Sequence, residues 1–202
     1  MARGDEDAAD PSDYLYRAVI VDCRITVAQL ATAFRIDDRR LVSAGHPFED
    51  IQSFTLTNVK GEIVQAELVH LVPGKDLAVL ELVEPVSGGA VQLANEEVAA
   101  QTAVSIPTFN SDGFLEINDA FAVRRAQVTL NGENERRSVE LEGVIGPGDS
   151  GAPILHDGDV VGVVFASTRG AETGWAVALP EIEGALANAG TEALPLTCPE
   201  DD

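Results

Sequence analysis

The chain is poor in aromatics, lysine, cysteine and long apolar runs, and each shortage narrows what it can be. No apolar run among its 202 residues reaches the roughly 18 that a bilayer-spanning helix needs, so insertion into a membrane is not expected. Phe, Trp and Tyr make up 5% of the chain against an apolar content of 45%. The core must therefore be built from Val, Leu, Ile and Ala, which suits short β-strands. Lysine occurs only at Lys60 and Lys75, and 13 basic residues face 34 acidic ones, for a net charge of −21. Such a surface repels nucleic acid and anionic membranes, so neither is expected as a partner. It reads as a solvated, solubilising surface, with attraction of basic substrates as the alternative. The opening Met1-Ala2-Arg3-Gly4-Asp5-Glu6-Asp7 is acidic and has no apolar centre, unlike a secretory leader. As written, the chain is expected in the cytoplasm, or outside it if excised from an anchored parent. The two cysteines, Cys23 and Cys198, read by themselves as two unrelated reduced thiols.

What is present is a succession of short apolar segments broken by turn chemistry. Val19–Ile25, Gln29–Ile36, Leu41–Ala44, Phe54–Asn58, Ile63–Val72 and Leu77–Val83 read as strands. Asp37-Asp38, Lys60-Gly61 and Pro73-Gly74 lie between them. Pro85 to Ala90 reads as a linker. Ala103–Ile106, Phe121–Leu130, Ser138–Leu141, Val160–Ala166 and Trp175–Ala178 form a second set, with a hairpin turn at Asn131-Gly132. Pro180 opens a short helix with acids in its first turn. Regular short strands of this kind predict a sandwich or barrel. No period of roughly 20–50 residues repeats.

Within the second set lies Gly146-Pro147-Gly148-Asp149-Ser150-Gly151-Ala152-Pro153. Glycines around Ser150 let the backbone turn tightly and bring two N–H groups to one point. The N–H groups of Gly148 and Ser150 could hold the oxyanion formed when Ser150 attacks a carbonyl. A serine hydroxyl is a weak nucleophile and needs an imidazole to take its proton. His156 lies at a turn with Asp157-Gly158 and reads as a surface residue; His70 decorates a strand. His46, in Ser43-Ala44-Gly45-His46-Pro47, stands where the chain must leave its sheet, and is the candidate base. Asp76, heading Asp76-Leu77-Ala78-Val79-Leu80, would accept the other ring N–H, although it could also be a solvated turn acid. Such chemistry needs neither metal nor cofactor, and none is expected.

These blocks, in the order His, Asp, Ser, resemble those of the trypsin-like serine proteases of chymotrypsin fold. Gly-Asp-Ser-Gly-Ala-Pro is similar to the family's Gly-Asp-Ser-Gly-Gly-Pro, Ser-Ala-Gly-His to Thr-Ala-Ala-His, and Val160–Ser167 followed by Thr173–Val177 adds a fourth block. The short gaps between blocks resemble the bacterial HtrA-like branch, and most of all the protease domain of actinobacterial membrane-anchored periplasmic proteases. The resemblance implies an all-β fold of two six-stranded antiparallel barrels and a short C-terminal helix. It spans residues 14–192, with barrels at about 14–84 and 91–180, a helix at about 180–189, an acidic tail over 1–13 and a second tail over 193–202.

It further implies a serine endopeptidase acting on proteins or peptides through His46, Asp76 and Ser150. Carried over by position, the base of the specificity pocket falls at Val144 and its wall at Phe165, Ala166 and Ser167, with Gly174 leaving room. No acid stands at Val144, so an apolar residue is expected before the scissile bond, and substrate should pair as a strand with residues 165–167. Asp149 shapes the loop. Gly45, in place of the usual alanine, is expected to loosen its turn. Relatives can pair a cysteine near the first strand with one near the C-terminus, which implies a disulfide between Cys23 and Cys198. Two rival readings stand beside this one. An α/β-hydrolase needs its acid and histidine after the serine, and only His156 follows. The other is a catalytically silent, peptide-binding or regulatory protein of the same fold.

Overall fold

Alternation of side chains explains how so few aromatics make a core. In the segment Leu77–Leu82, Leu77 and Val79 face one apolar cluster while Ala78, Leu80 and Leu82 face another. A strand buried on both faces reads as a continuous apolar run rather than as a polar–apolar alternation. The same division recurs in Val160–Phe165, where Val160, Val163 and Phe165 turn one way and Val161 and Val164 the other. A computed structural model describes residues 9–24, 27–110, 112–130, 133–168 and 172–198.

The first lobe contains β1 (Leu15–Asp22), β2 (Gln29–Arg35), β3 (Arg40–Ala44), β4 (Ile51–Asn58), β5 (Ile63–Val64), β6 (Ala66–Val72) and β7 (Leu77–Leu82). They form one antiparallel sheet in the order β5-β4-β1-β2-β3-β7-β6. The second lobe contains β8 (Thr102–Phe109), β9 (Leu115–Leu130), β10 (Glu133–Gly143), β11 (Pro153–His156), β12 (Asp159–Ser167) and β13 (Thr173–Ala178). These close into a barrel, β10-β13-β12-β11-β8-β9. The architecture is all-β and of chymotrypsin type, with a closed six-stranded barrel beside a strongly curled seven-stranded half-barrel.

The seventh strand has a simple origin. The segment expected as one strand, Ile63–Val72, breaks at Gln65: its first part pairs with β4 and its second with β7. The two ends of the sheet are thus joined through one residue of chain, and the sheet curls without a ladder at the seam. One apolar cluster fills each lobe, and a third lies between them, where Phe34, Val42, Leu77, Phe109, Val163 and Phe165 meet the C-terminal helix α2 (Leu179–Asn188) through Ile182 and Ala185. Each large side chain so buried contributes about 1.5–3 kcal/mol.

Near each end the described residues are held more firmly than their composition predicts. Pro11–Tyr14, whose first three residues lie in the acidic tail expected over 1–13, forms a helical turn, α1. Asp10 caps it by accepting from the Ser12 N–H at 2.8 Å, and Pro11 sits in its first turn. Residues 193–198, expected as a tail, lie on the first lobe: the Leu194 N–H donates to the Leu68 carbonyl at 2.7 Å. A disulfide joins Cys23 to Cys198, with Cα atoms 5.3 Å apart. The buried Arg35 donates to the carbonyls of Asp13, Asp37, Val86, Gly88 and Gly89, and so pins the linker and the turn before β1 to β2. The turn expected at Asn131-Gly132, and Ile25 at the expected end of β1, lie outside the described residues. No helix among the described residues is long and apolar enough to cross a membrane.

Candidate active site

β3 ends at Ala44, and His46-Pro47-Phe48 make a 3-10 turn that carries the chain out of the sheet. On the neighbouring strand's side, Pro73–Lys75 make a second 3-10 turn, and Asp76 follows it in the left-handed conformation, at φ 57° and ψ 50°. That conformation brings the Asp76 carboxylate to the backbone of the first turn. Oδ1 accepts from the Gly45 N–H at 2.9 Å and the His46 N–H at 2.7 Å, and lies 3.0 Å from His46 Nδ1. Oδ2 lies 3.2 Å from the same ring nitrogen. Asp76 is buried, not a solvated turn acid. Burial pushes its carboxyl pKa up, but hydrogen bonds from His46 and the nearby His46 and Arg136 charges outweigh it and hold the group below its ordinary value.

Gly45 tightens this turn rather than loosening it. A Cβ on Gly45 would lie 2.8 Å from the Leu77 nitrogen and 3.0 Å from the Asp76 carbonyl carbon. Absence of a side chain is what lets the two turns approach until Asp76 reaches both N–H groups.

Ser150 sits in a turn built by its own neighbours. Asp149 Oδ2 accepts from the Gly146 N–H at 2.7 Å, and Oδ1 from the Thr108 hydroxyl at 2.9 Å. Burial pushes the Asp149 carboxyl up. Gly148 and Gly151 take φ values of 101° and 88°. A Cβ on Gly151 would lie 2.0 Å from the Thr32 carbonyl oxygen, so the loop rests directly on the first lobe. The Thr32 N–H donates to the Ser150 carbonyl at 2.8 Å, and its hydroxyl to the Gly148 carbonyl at 3.0 Å. With their carbonyls held, the N–H groups of Gly148 and Ser150 donate to no partner among the described residues. His46 and Ser150 form no side-chain hydrogen bond with each other; the His46 side chain is 44% exposed. Such contacts are often long in free enzymes and tighten with substrate.

The other expected residues fall as follows. Val144 is 65% exposed, whereas the next residue, Ile145, turns inward: a Cβ on Gly174 would lie 2.5 Å from Ile145 Cδ1 and 2.8 Å from the Ala166 carbonyl oxygen. The space beside Gly174 is thus occupied by Ile145, and Val144 forms no buried floor. Phe165 is buried between the lobes, Ala166 is half-buried and Ser167 exposed. His156 Nδ1 lies 3.2 Å from the Ala103 carbonyl, on the far end of β11. Among the described residues no group of three or more His, Cys, Asp or Glu side chains converges to hold a metal.

Sequence reasoning missed two residues. Thr32 holds the serine loop from the opposite lobe. Arg136, on β10, places Nη1 3.1 Å from Asp76 Oδ2. Within Glu135-Arg136-Arg137 its residue type does not set it apart from its neighbours. Only its position two residues before the inward Ser138 signals that it faces in.

A family model described as trypsin-like peptidase domain matches residues 31–163. No curated protein sequence matches the chain. Among solved structures the chain is similar to the Rv3671c protease from M. tuberculosis in its active form. The TM-score is 0.84 and the identity 21%, over 95% of this chain and 92% of that one. The inactive form of the same protease matches with a TM-score of 0.75 at 21% identity, over 91% of this chain and 98% of that one. The HtrA-type protease AlgW with tripeptide matches with a TM-score of 0.75 at 16% identity, over 88% of this chain and 61% of that one.

Proposed function

Because the chain belongs to the trypsin-like peptidase family, we propose that it is a serine endopeptidase using His46, Asp76 and Ser150. The observation that carries this reading is the buried Asp76 carboxylate bonded to His46 Nδ1, beside a serine loop whose Gly148 and Ser150 N–H groups are uncommitted. His46 Nε2 takes the Ser150 proton as Oγ attacks the peptide carbonyl, and Asp76 stabilises the imidazolium that results. The developing oxyanion is held by the Gly148 and Ser150 N–H groups. The imidazolium then protonates the leaving amine, and water repeats the sequence on the acyl-enzyme.

The substrate is a protein or peptide in extended form, added as a strand along Phe165–Ser167. Past Val164 that edge of β12 is not paired with β11, which ends its pairing at Val163. A similar structure, AlgW, contains a tripeptide. Val144, Ile145 and Ala166 bring no charge to the space before the scissile bond, so an apolar residue of modest size is preferred there. The lack of a hydrogen bond between Ser150 and His46 in the free protein favours one second reading, a silent peptide-binding protein of this fold. Cleavage of a peptide library with Ser150→Ala as control, together with labelling by a fluorophosphonate, separates the two. Loss of Ser150 should lower turnover by several orders of magnitude, about 10⁶ in the comparable subtilisin case. Equal cleavage by Ser150→Ala would sink the proposal.

A further inference from the structure

Asp76 has a second partner that this reaction does not use. Arg136 comes from β10 in the second lobe, and Asp76 from the first, so their contact at 3.1 Å bridges the lobes at the triad. Both side chains are only 6% exposed. The guanidinium lies over the Phe165 ring, with Cζ 4.9 Å from its centroid. Arg136 Nε and Nη1 form no hydrogen bond, so Nη1 meets Asp76 as charge against charge, off the hydrogen-bond axis. A buried ion pair of this kind is generally no more stabilising than well-packed apolar side chains of the same size. Stability alone therefore gives little reason for an arginine here.

The backbone on either side of Arg136 is held in place. Lys75, the residue before Asp76, donates from Nζ to the Glu135 carbonyl at 2.9 Å and to Glu181 Oε1 at 3.0 Å. Glu181 Oε1 also accepts from the Arg137 N–H at 3.0 Å. The two neighbours of Arg136 are thus tied, through Lys75 and through α2, to the turn that presents Asp76.

We propose that Arg136 is a positioning residue that limits how much of the Asp76 charge reaches the His46 ring. The inference rests on the triad assignment. Oδ1 of Asp76 already serves two backbone N–H groups and the ring, while Oδ2 is shared between the ring and Arg136. A carboxylate neutralised from behind stabilises a neighbouring imidazolium less. His46 accordingly stays neutral, and able to act as a base, to lower pH than it would without Arg136. The charged groups around the pair are Glu49 and Asp50 after the His46 turn, Lys75 before Asp76, Arg136 on β10 and Glu181 on α2. Among the described residues, Arg136 alone of these touches the Asp76 carboxylate.

The test replaces Arg136 by Met, by Gln and by Lys. In a Ser150→Ala background, the His46 ring titration is followed by NMR, its signal assigned by loss in His46→Ala. In the Ser150 protein, kcat/KM is measured against pH. Arg136→Met and Arg136→Gln are expected to raise the titration midpoint and the acid limb of kcat/KM together, by about one pH unit. Arg136→Lys, which keeps the charge, should leave both near their starting values. Either neutral variant suffices if the other does not fold. Unmoved or lowered midpoints in the neutral variants would overturn the proposal, whatever happens to the rate. If the unsubstituted protein shows no Ser150-dependent cleavage, the endopeptidase reading fails, and the NMR titration still decides whether Arg136 controls the charge at His46.

Discussion

Thr32, on β2 of the first lobe, donates its backbone N–H to the carbonyl of Ser150 in the second lobe, at 2.8 Å. The same residue's hydroxyl donates to the Gly148 carbonyl at 3.0 Å and lies 3.3 Å from the Thr108 hydroxyl, which in turn donates to Asp149. Its carbonyl accepts from Ser43 Oγ at 2.6 Å, on β3 three residues before His46. Each held carbonyl fixes the peptide plane that follows it, so Thr32 clamps the loop after Gly148 and after Ser150, the loop that carries the two N–H groups of the proposed oxyanion site.

Thr32→Val tests this clamp, because it removes the hydroxyl and keeps both shape and N–H. The Gly148 carbonyl then loses its partner in a partly buried setting, at a stability cost of about 0.5–1.5 kcal/mol. We expect kcat to fall by about 10- to 100-fold with a smaller change in KM, the pattern of a lost transition-state interaction. Steady-state kinetics on one peptide substrate decides it; a pure KM effect would refute the clamp.

The two buried aspartates should move stability in opposite directions with pH. Asp76 is held below the ordinary 3.8, so its contribution is present above 3.8 and is lost as pH falls through its lowered folded value. Asp149 is pushed above 3.8 by burial, so its contribution is complete below 3.8 and is lost as pH rises through its raised value. Melting temperatures of Asp76→Asn and Asp149→Asn, followed from about pH 3 to about pH 7, should bear this out. The deficit of Asp76→Asn grows with pH, and that of Asp149→Asn shrinks. Parallel curves for the two variants would contradict the assignment.

Cys23 and Cys198 are 175 residues apart in the chain. Closing so long a loop should add about 5 kcal/mol in the chain-entropy account. Reduction, or Cys23→Ser with Cys198→Ser, is expected to lower the melting temperature while the His46 to Asp76 contact persists. The disulfide ties residues 193–198 to the first lobe, away from the lobe interface. A reduced protein with unchanged melting temperature would show that the other contacts of the C-terminal segment, such as Leu194 with Leu68, suffice.

The strands were legible because turn chemistry and apolar runs are local properties. Pro73-Gly74 does sit at a turn, and Leu77–Leu82 is a strand almost as read. The single long strand at Ile63–Val72 was not divisible from sequence, because nothing in its pattern shows that β4 claims one end and β7 the other. Gly45 illustrates the same limit at the site. Its flexibility is visible in the letter G, yet whether that freedom loosens or tightens depends on Leu77, 2.8 Å from where its Cβ would be.

By itself the sequence determined the all-β class, the tight glycine-flanked turn at Ser150, and the candidacy of His46 and Asp76, since each follows from residue type and near neighbours. Tertiary structure alone decided that Ile145 rather than Val144 fills the space beside Gly174, that Thr32 grips the serine loop, and that Arg136 lies against Asp76. The physical reason is shared. Each of those contacts joins residues far apart in the chain, so no local pattern carries it, and which side chain turns in is settled by what packs beside it in the fold.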